Sequence, residues 1–245
     1  MSSPSRALEP RDSRPRLELY TDGSYLEKNP TWHIEESPFK VKYISQLLGK
    51  NALHVKSVCE AGCGVGEVLR LLQLKLASEI EFTGFDISPQ AHEMSASREN
   101  DHLHFKLADI TREQGLSFDL LLVLDVLEHL EDYFSFLRAL RPIARYKIFH
   151  FPLDLSVQAV IRKNGLLKRR IDYAHLHYFS KETALETLVD TGYTIRDYFY
   201  APRSNEIGPT LLQKAFRIPR AALFTINRDF AARLLGGYSL MVLAE

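Results

Sequence analysis

Polar and apolar positions along this chain fall into two alternating rhythms. Short apolar runs predict strands over 54–59, 80–85, 103–107, 118–125 and 146–151. Between them, apolar residues recur at helical spacing. Val41, Ile44, Leu47 and Leu48 form one such stripe behind Ser37 and Pro38, an N-cap and a first helical residue, and Gly49 can close it. A second helix is predicted over 67–76, with Val68, Leu71, Leu72 and Leu76 inward. Ser88 and Pro89 open a third, and a fourth runs over 131–140 before Pro142. The run FDLLLVLD has little polar alternation, which suits a central parallel strand covered on both faces. Strand and helix therefore alternate with short connections, and this predicts an α/β fold with a doubly wound sheet.

Past residue 151 the rhythm loosens. Helices are predicted over 155–163 and 181–191, the second capped by Ser180, and strands over 193–200 and 238–243. The intervening 201–237, with helical segments near 210–216 and 221–235, reads as a helical insertion packed beside the sheet. Residues 1–16 are rich in Ser, Pro and Arg and read as a disordered tail. Residues 17–37 carry Tyr20, Tyr25 and Trp32 and read as an irregular N-terminal arm or lid laid over the main domain, 38–245.

Composition narrows the class of function. The 245 residues carry no formal net charge, which disfavours nucleic-acid binding through bulk electrostatics. Two cysteines are too few for a disulfide scaffold, and nothing nearby completes a zinc set, so a reducing, cytoplasmic setting is expected. No apolar run reaches the ~18 residues of a membrane span, and the N-terminus has no apolar signal region.

The chemistry concentrates first in VCEAGCGVGEVL, 58–69. It lies at the carboxyl end of a predicted strand, where open α/β sheets place their ligands. Gly62, Gly64 and Gly66 are spaced two and two. A dinucleotide fold needs G-x-G-x-x-G, and a phosphate-cradling Walker loop needs a terminal Lys-Ser/Thr, so both nucleotide readings fit poorly. Asp86 ends the second strand, twenty residues beyond Gly66. Its carboxylate can accept from a ribose hydroxyl pair, or cap the turn before Ser88. Asp109 ends the third strand, and either accepts from an exocyclic adenine amino group or serves as a turn residue. Glu60 can meet a ligand ammonium or hold the glycine loop. Carboxylates in neighbouring turns point to a ligand with hydroxyls and cationic groups.

EAGCGVG, followed by FDIS at 85–88, AD at 108–109 and DVLEHLED at 125–132, resembles the class I S-adenosylmethionine-dependent methyltransferase superfamily, most nearly its type 11 and type 12 small-molecule branch. The resemblance covers roughly 38–200. It implies a Rossmann-like, seven-stranded, mostly parallel sheet, with the 238–243 strand antiparallel beside the 193–200 strand. It implies S-adenosyl-L-methionine as cofactor, with Glu60, Gly62, Gly64 and Gly66 at the methionine end and Asp86 with Ile87 at the ribose. By the same resemblance Asp109 and Ile110 lie at the adenine, Asp125 lies against the methionine moiety and substrate, and Val126 and Leu127 line the cleft.

Methyl transfer from a sulfonium is a direct displacement, so the protein mainly aligns donor and acceptor. A hydroxyl acceptor benefits from a base, and histidine is the natural one near neutral pH. The candidates are His175 and His177, in YAHLHYFSKET at 173–183, and His129 in the LEHLED turn. The turn at His175 resembles the H-x-x-x-F/Y-S turn of type 11 relatives, which implies a substrate-facing His175. Each also has a structural reading, and His150 reads as a satisfied core histidine. No metal is inferred from these spacings. Arg162, Lys163, Lys168, Arg169 and Arg170 form a basic cluster, read as solvated surface or as a flexible flap over the cleft. Trp32 and His33 either cap the pocket or pack the arm down. The expectation is methyl transfer to a small molecule at a hydroxyl oxygen. Methylation at nitrogen or carbon, and a cofactor-binding protein without turnover, are the alternatives. Nucleic acid is not expected as a partner, and 201–237 suits a substrate wall or a homodimer contact.

Overall fold

A computed structural model describes residues 18–202 and 217–245. The predicted tail at 1–16 and the helical segment near 210–216 lie outside the described residues. Seven strands form one sheet: β1 (Ser57–Ala61), β2 (Glu81–Asp86), β3 (Leu103–Leu107), β4 (Phe118–Leu124), β5 (Ala144–Pro152), β6 (Ile195–Ala201) and β7 (Ser239–Ala244). Their spatial order is β3-β2-β1-β4-β5-β7-β6. The first five pair in parallel, and β7 runs antiparallel between β5 and β6. The strand order reverses between β1 and β4, which opens a crevice at their carboxyl ends. Among the described residues no helix is long and apolar enough to cross a membrane.

The first helices are α1 (Glu18–Thr21), α2 (Ser24–Lys28), α3 (Ser37–Lys50), α4 (Glu67–Lys75), α5 (Pro89–Ser95) and α6 (Tyr133–Leu140). They are followed by α7 (Val157–Ile161), α8 (Gly165–Asp172), α9 (Lys181–Asp190), α10 (Arg217–Ile226) and α11 (Arg228–Leu235). The unbroken apolar run of β4 has a simple cause. Leu120, Leu122 and Leu124 face one core with α3 and α4, through Ile44, Leu47, Leu69 and Leu72. Leu121 and Val123 face the other, with Leu137 and Leu140 of α6, Ala184 and Leu188 of α9, and Ala231 and Ala232 of α11. Burying each of the large side chains contributes roughly 1.5–3 kcal/mol, and this fixes the strand ends that carry the site.

Three local expectations need revision. The 17–37 arm contains two short helices rather than only irregular chain. The basic cluster is no loose flap, because its second half is α8, entered through Asn164 at a φ of 64°. The 221–235 helix is two helices, broken at Asn227, whose side chain caps the second by accepting from the Phe230 N–H at 2.9 Å.

Candidate active site

The strand ends, the arm and the segment after β5 enclose one cavity of about 900 Å³. At its floor the glycine turn is bound to the end of β2, since the N–H groups of Gly62 and Cys63 both donate to the Phe85 carbonyl, at 2.8 and 3.1 Å. Asp86 continues that link. One of its oxygens accepts from the Gly64 N–H at 2.7 Å and the other from the Ser88 N–H at 2.9 Å. Burial pushes its carboxyl up, against these bonds. Each oxygen keeps a lone pair for a ligand hydroxyl. Asp109 caps its own turn, accepting from the Thr111 N–H at 3.0 Å and hydroxyl at 2.7 Å. Both the capping and the ligand readings of these two acids therefore fit the same geometry.

Glu60 is 3% exposed, and its Oε2 has no hydrogen-bond partner. Burial pushes its carboxyl up to about 8, opposed by the Lys40 ammonium and aided by Asp86 and Asp125. Asp125 follows β4 at a φ of 56°, a left-handed conformation unusual for a non-glycine residue. It is held there by Lys40 Nζ at 2.7 Å and by His150 Nδ1 at 2.6 Å. Burial opposes its ionisation, but the His150 ring and the Lys40 ammonium outweigh burial and hold its carboxyl well below the usual range. His150 is buried as expected, yet only one of its nitrogens is satisfied, and Nε2 has no partner.

Beyond Asp125 the chain turns through Glu128 and His129. The N–H groups of Leu176 and His177 donate to the Glu128 carbonyl at 2.7 and 3.2 Å, which docks the histidine segment onto this turn. His129 and His175 then meet edge to face, with ring centroids 5.0 Å apart. His175 Nδ1 lies 2.6 Å from Asp154 Oδ2, and Arg169 Nε of α8 lies 2.9 Å from the other Asp154 oxygen. Burial, and then the charge on Asp125, push the Glu128 carboxyl well above its usual range. Burial, and then His175, push His129 down to about 3, so it is neutral at ordinary pH.

The arm closes the top. Trp32 and His33 are consecutive residues at positive φ, 49° and 56°. Tyr25 packs edge-on against Trp32 at 5.0 Å, Tyr20 approaches His129 at 6.0 Å, and His33 approaches Tyr173 at 6.3 Å. The indole of Trp32 lies so close over Gly64 that a Cβ there would come within 2.6 Å of it.

A family model described as a methyltransferase domain matches residues 32–198. The chain belongs to this methyltransferase family. The superfamily is that of the class I S-adenosylmethionine-dependent methyltransferases. Solved structures agree on the fold. The N-methyltransferase NodS from Bradyrhizobium japonicum WM9, in complex with S-adenosyl-L-homocysteine, is 18% identical with a TM-score of 0.58. The alignment covers 90% of this chain and 96% of that one. A putative sarcosine dimethylglycine methyltransferase from Galdieria sulphuraria is 14% identical with a TM-score of 0.62, covering 91% and 97%. The magnesium protoporphyrin IX methyltransferase ChlM from Synechocystis PCC 6803, with bound S-adenosyl-L-homocysteine, is 18% identical with a TM-score of 0.53, covering 93% and 90%. No curated protein sequence matches this chain significantly.

In this methyltransferase most of the expected residues share the cavity: Glu60, Gly62, Gly64, Asp86, Ile87, Asp109, Ile110, Asp125, His129 and His175, with Trp32 and His33. Two do not line it. Gly66 sits behind the turn, where a Cβ would lie 2.2 Å from the Phe105 ring, so its small size makes room for the core rather than for a ligand. His177 points away, with Nε2 bonded to the Leu130 carbonyl at 2.8 Å and its ring against Tyr133 at 4.7 Å. The sequence reading overlooked Lys40, Glu128 and Asp154 as site residues. Lys40 had a signal, since it falls one helical turn before Ile44 on the buried stripe. Glu128 stood inside the quoted motif, but nothing local marks it as buried without a partner.

Proposed function

We propose that this methyltransferase passes the methyl group of S-adenosyl-L-methionine to an oxygen of a small molecule lodged against His129 and His175. The reading rests on one observation: a single cavity joins the Glu60–Asp86–Asp109 strand ends to a paired-histidine wall. In this pose Asp86 holds the ribose hydroxyls, and Asp109 and Ile110 flank the adenine. Glu60 takes the ammonium, Asp125 borders the methionine moiety, and Lys40 offers a cation to the cofactor carboxylate. Nδ1 of His175, held by Asp154, leaves Nε2 as the nitrogen that handles the acceptor proton. The acceptor oxygen forms the new C–O bond while the C–S bond breaks, and sulfur keeps that electron pair in S-adenosyl-L-homocysteine. Tyr20, Tyr25 and Trp32 exclude water from the sulfonium.

Calorimetry with S-adenosyl-L-homocysteine tests the cofactor assignment. Asp86→Ala is expected to weaken binding by about 1–3 kcal/mol, the cost of unpaired hydroxyl partners. Unchanged affinity in the folded variant removes the ribose role. A panel of hydroxyl and amine acceptors tests the atom, and turnover confined to amines overturns oxygen transfer.

A further inference from the structure

The acceptor wall holds more polar atoms than a single general base requires. Glu128 is 1% exposed, and neither of its carboxylate oxygens has a hydrogen-bond partner. Nδ1 of His129 also lacks one. Leaving a buried carboxylate in this state is costly unless a ligand completes it. One ligand atom from each of Glu128, His129 and His175 lies within 4.8 Å of the others.

We propose that Glu128, His129 and His175 bind a divalent first-row transition-metal ion on the acceptor side of the cavity. Three features of the surroundings fit a metal better than a lone base. The donor set is one carboxylate and two imidazoles, which suits zinc, iron, cobalt or manganese rather than calcium or magnesium. His175 carries the outer partner typical of a metal-bound imidazole, because Nδ1 is bonded to Asp154 at 2.6 Å and Asp154 is anchored by Arg169. The backbone bonds from Leu176 and His177 to the Glu128 carbonyl set the spacing of the donors before any ion arrives. A general base built from His175 and Asp154 alone leaves both Glu128 oxygens without a partner, whereas a cation supplies one.

All three donors line the cavity, so the remaining coordination positions face the acceptor. This part rests on the oxygen-acceptor reading above. An acceptor hydroxyl on the ion gives its proton to solvent water more readily. Its oxygen then attacks the methyl carbon as the C–S bond breaks towards sulfur. The two imidazoles thereby act through the ion, and this replaces the direct proton transfer to His175 Nε2 described above.

The test uses the whole protein, stripped with EDTA and titrated with cobalt(II) chloride while visible absorption is followed. Saturable uptake of one equivalent, with ligand-field bands displaced by zinc(II), is expected. Glu128→Gln and His175→Ala are each expected to weaken uptake by about tenfold or more, and Asp154→Asn, a positioning change, by about 10–100-fold. Calorimetry with S-adenosyl-L-homocysteine on the same variants confirms that they are folded. Absence of saturable uptake by the native protein overturns the proposal, as does undiminished uptake in both Glu128→Gln and His175→Ala. Uptake that depends on these residues, in a protein that methylates only amines, upholds the metal site and overturns oxygen transfer.

Discussion

The two ends of the cavity are built on opposite principles. On the proposed cofactor side, Asp86 and Asp109 are already bonded to the Gly64, Ser88 and Thr111 N–H groups. Apart from the unpartnered Glu60 Oε2, that end is a finished cradle whose shape comes from backbone. On the acceptor side, side chains from the turn after β4, the segment after β5, helix α8 and the arm converge. There the buried Glu128 oxygens and His129 Nδ1 have no hydrogen-bond partners. Preorganisation at the first end gives tight, ligand-independent geometry. At the second, groups are held in place at a cost that a ligand can repay. Substitutions should therefore separate the two ends cleanly.

The sharpest separation is expected from Glu128→Gln or His175→Ala. Turnover should fall on the order of 10²–10⁴-fold, while S-adenosyl-L-homocysteine affinity stays within about twofold. Steady-state kinetics beside calorimetry reads both, and a matching fall in affinity would break the division. Next in size is Gly66→Ala. Its φ of 77° and the Phe105 ring 2.2 Å from the added Cβ should cost about 2–4 kcal/mol in urea unfolding. Ligand affinity of the folded protein should hardly change, in contrast to Asp86→Ala, and a large affinity loss would return Gly66 to the site.

The smallest effect is a pH dependence at Glu60, on the proposed cofactor side. Its folded value of about 8 exceeds the ordinary 4.5, so the folded protein keeps a proton that the unfolded chain releases. Stability is then full below the unfolded value and is lost as pH rises towards 8. The unliganded Tm should fall between pH 6 and pH 8, by about 2–4 °C for each kcal/mol lost. Glu60→Gln should flatten the slope, leaving the contribution of Glu128, which is raised for the same reason. An equal slope in the variant would remove Glu60 as its source.

The same contrast governs how much was legible in the sequence. The cofactor end is written in contiguous residues, because a strand, a glycine turn and a following acid form one local device. EAGCGVG, Asp86 and Asp109 therefore pointed to the fold, and all of them but Gly66 line one end of the cavity. The sheet was equally legible, since the buried run of β4 satisfies two cores at once. The acceptor end depends on contacts remote in sequence. Nothing near Glu128 foretells that Leu176 and His177 pair with its carbonyl, nor that Asp154 meets His175. Helix α8 was hidden by its own charge, since Lys168, Arg169 and Arg170 obscure the apolar spacing of Leu166 and Leu167. Phe105 took the space at Gly66 that the glycine pattern had reserved for a ligand.

The position of β7 bears on how the molecule is made. It pairs with β5 on one side and β6 on the other, so β6 has no strand neighbour until residues 239–244 exist. During synthesis strands β1 to β4, complete in residues 57–124, can form while the ribosome is still working. The edge of β5 and one edge of β6 must wait, exposed, for a strand that is translated more than forty residues after β6 begins. A nascent chain halted after Ala201 should thus carry strands β1 to β5 folded and its far sheet edge open to chaperones.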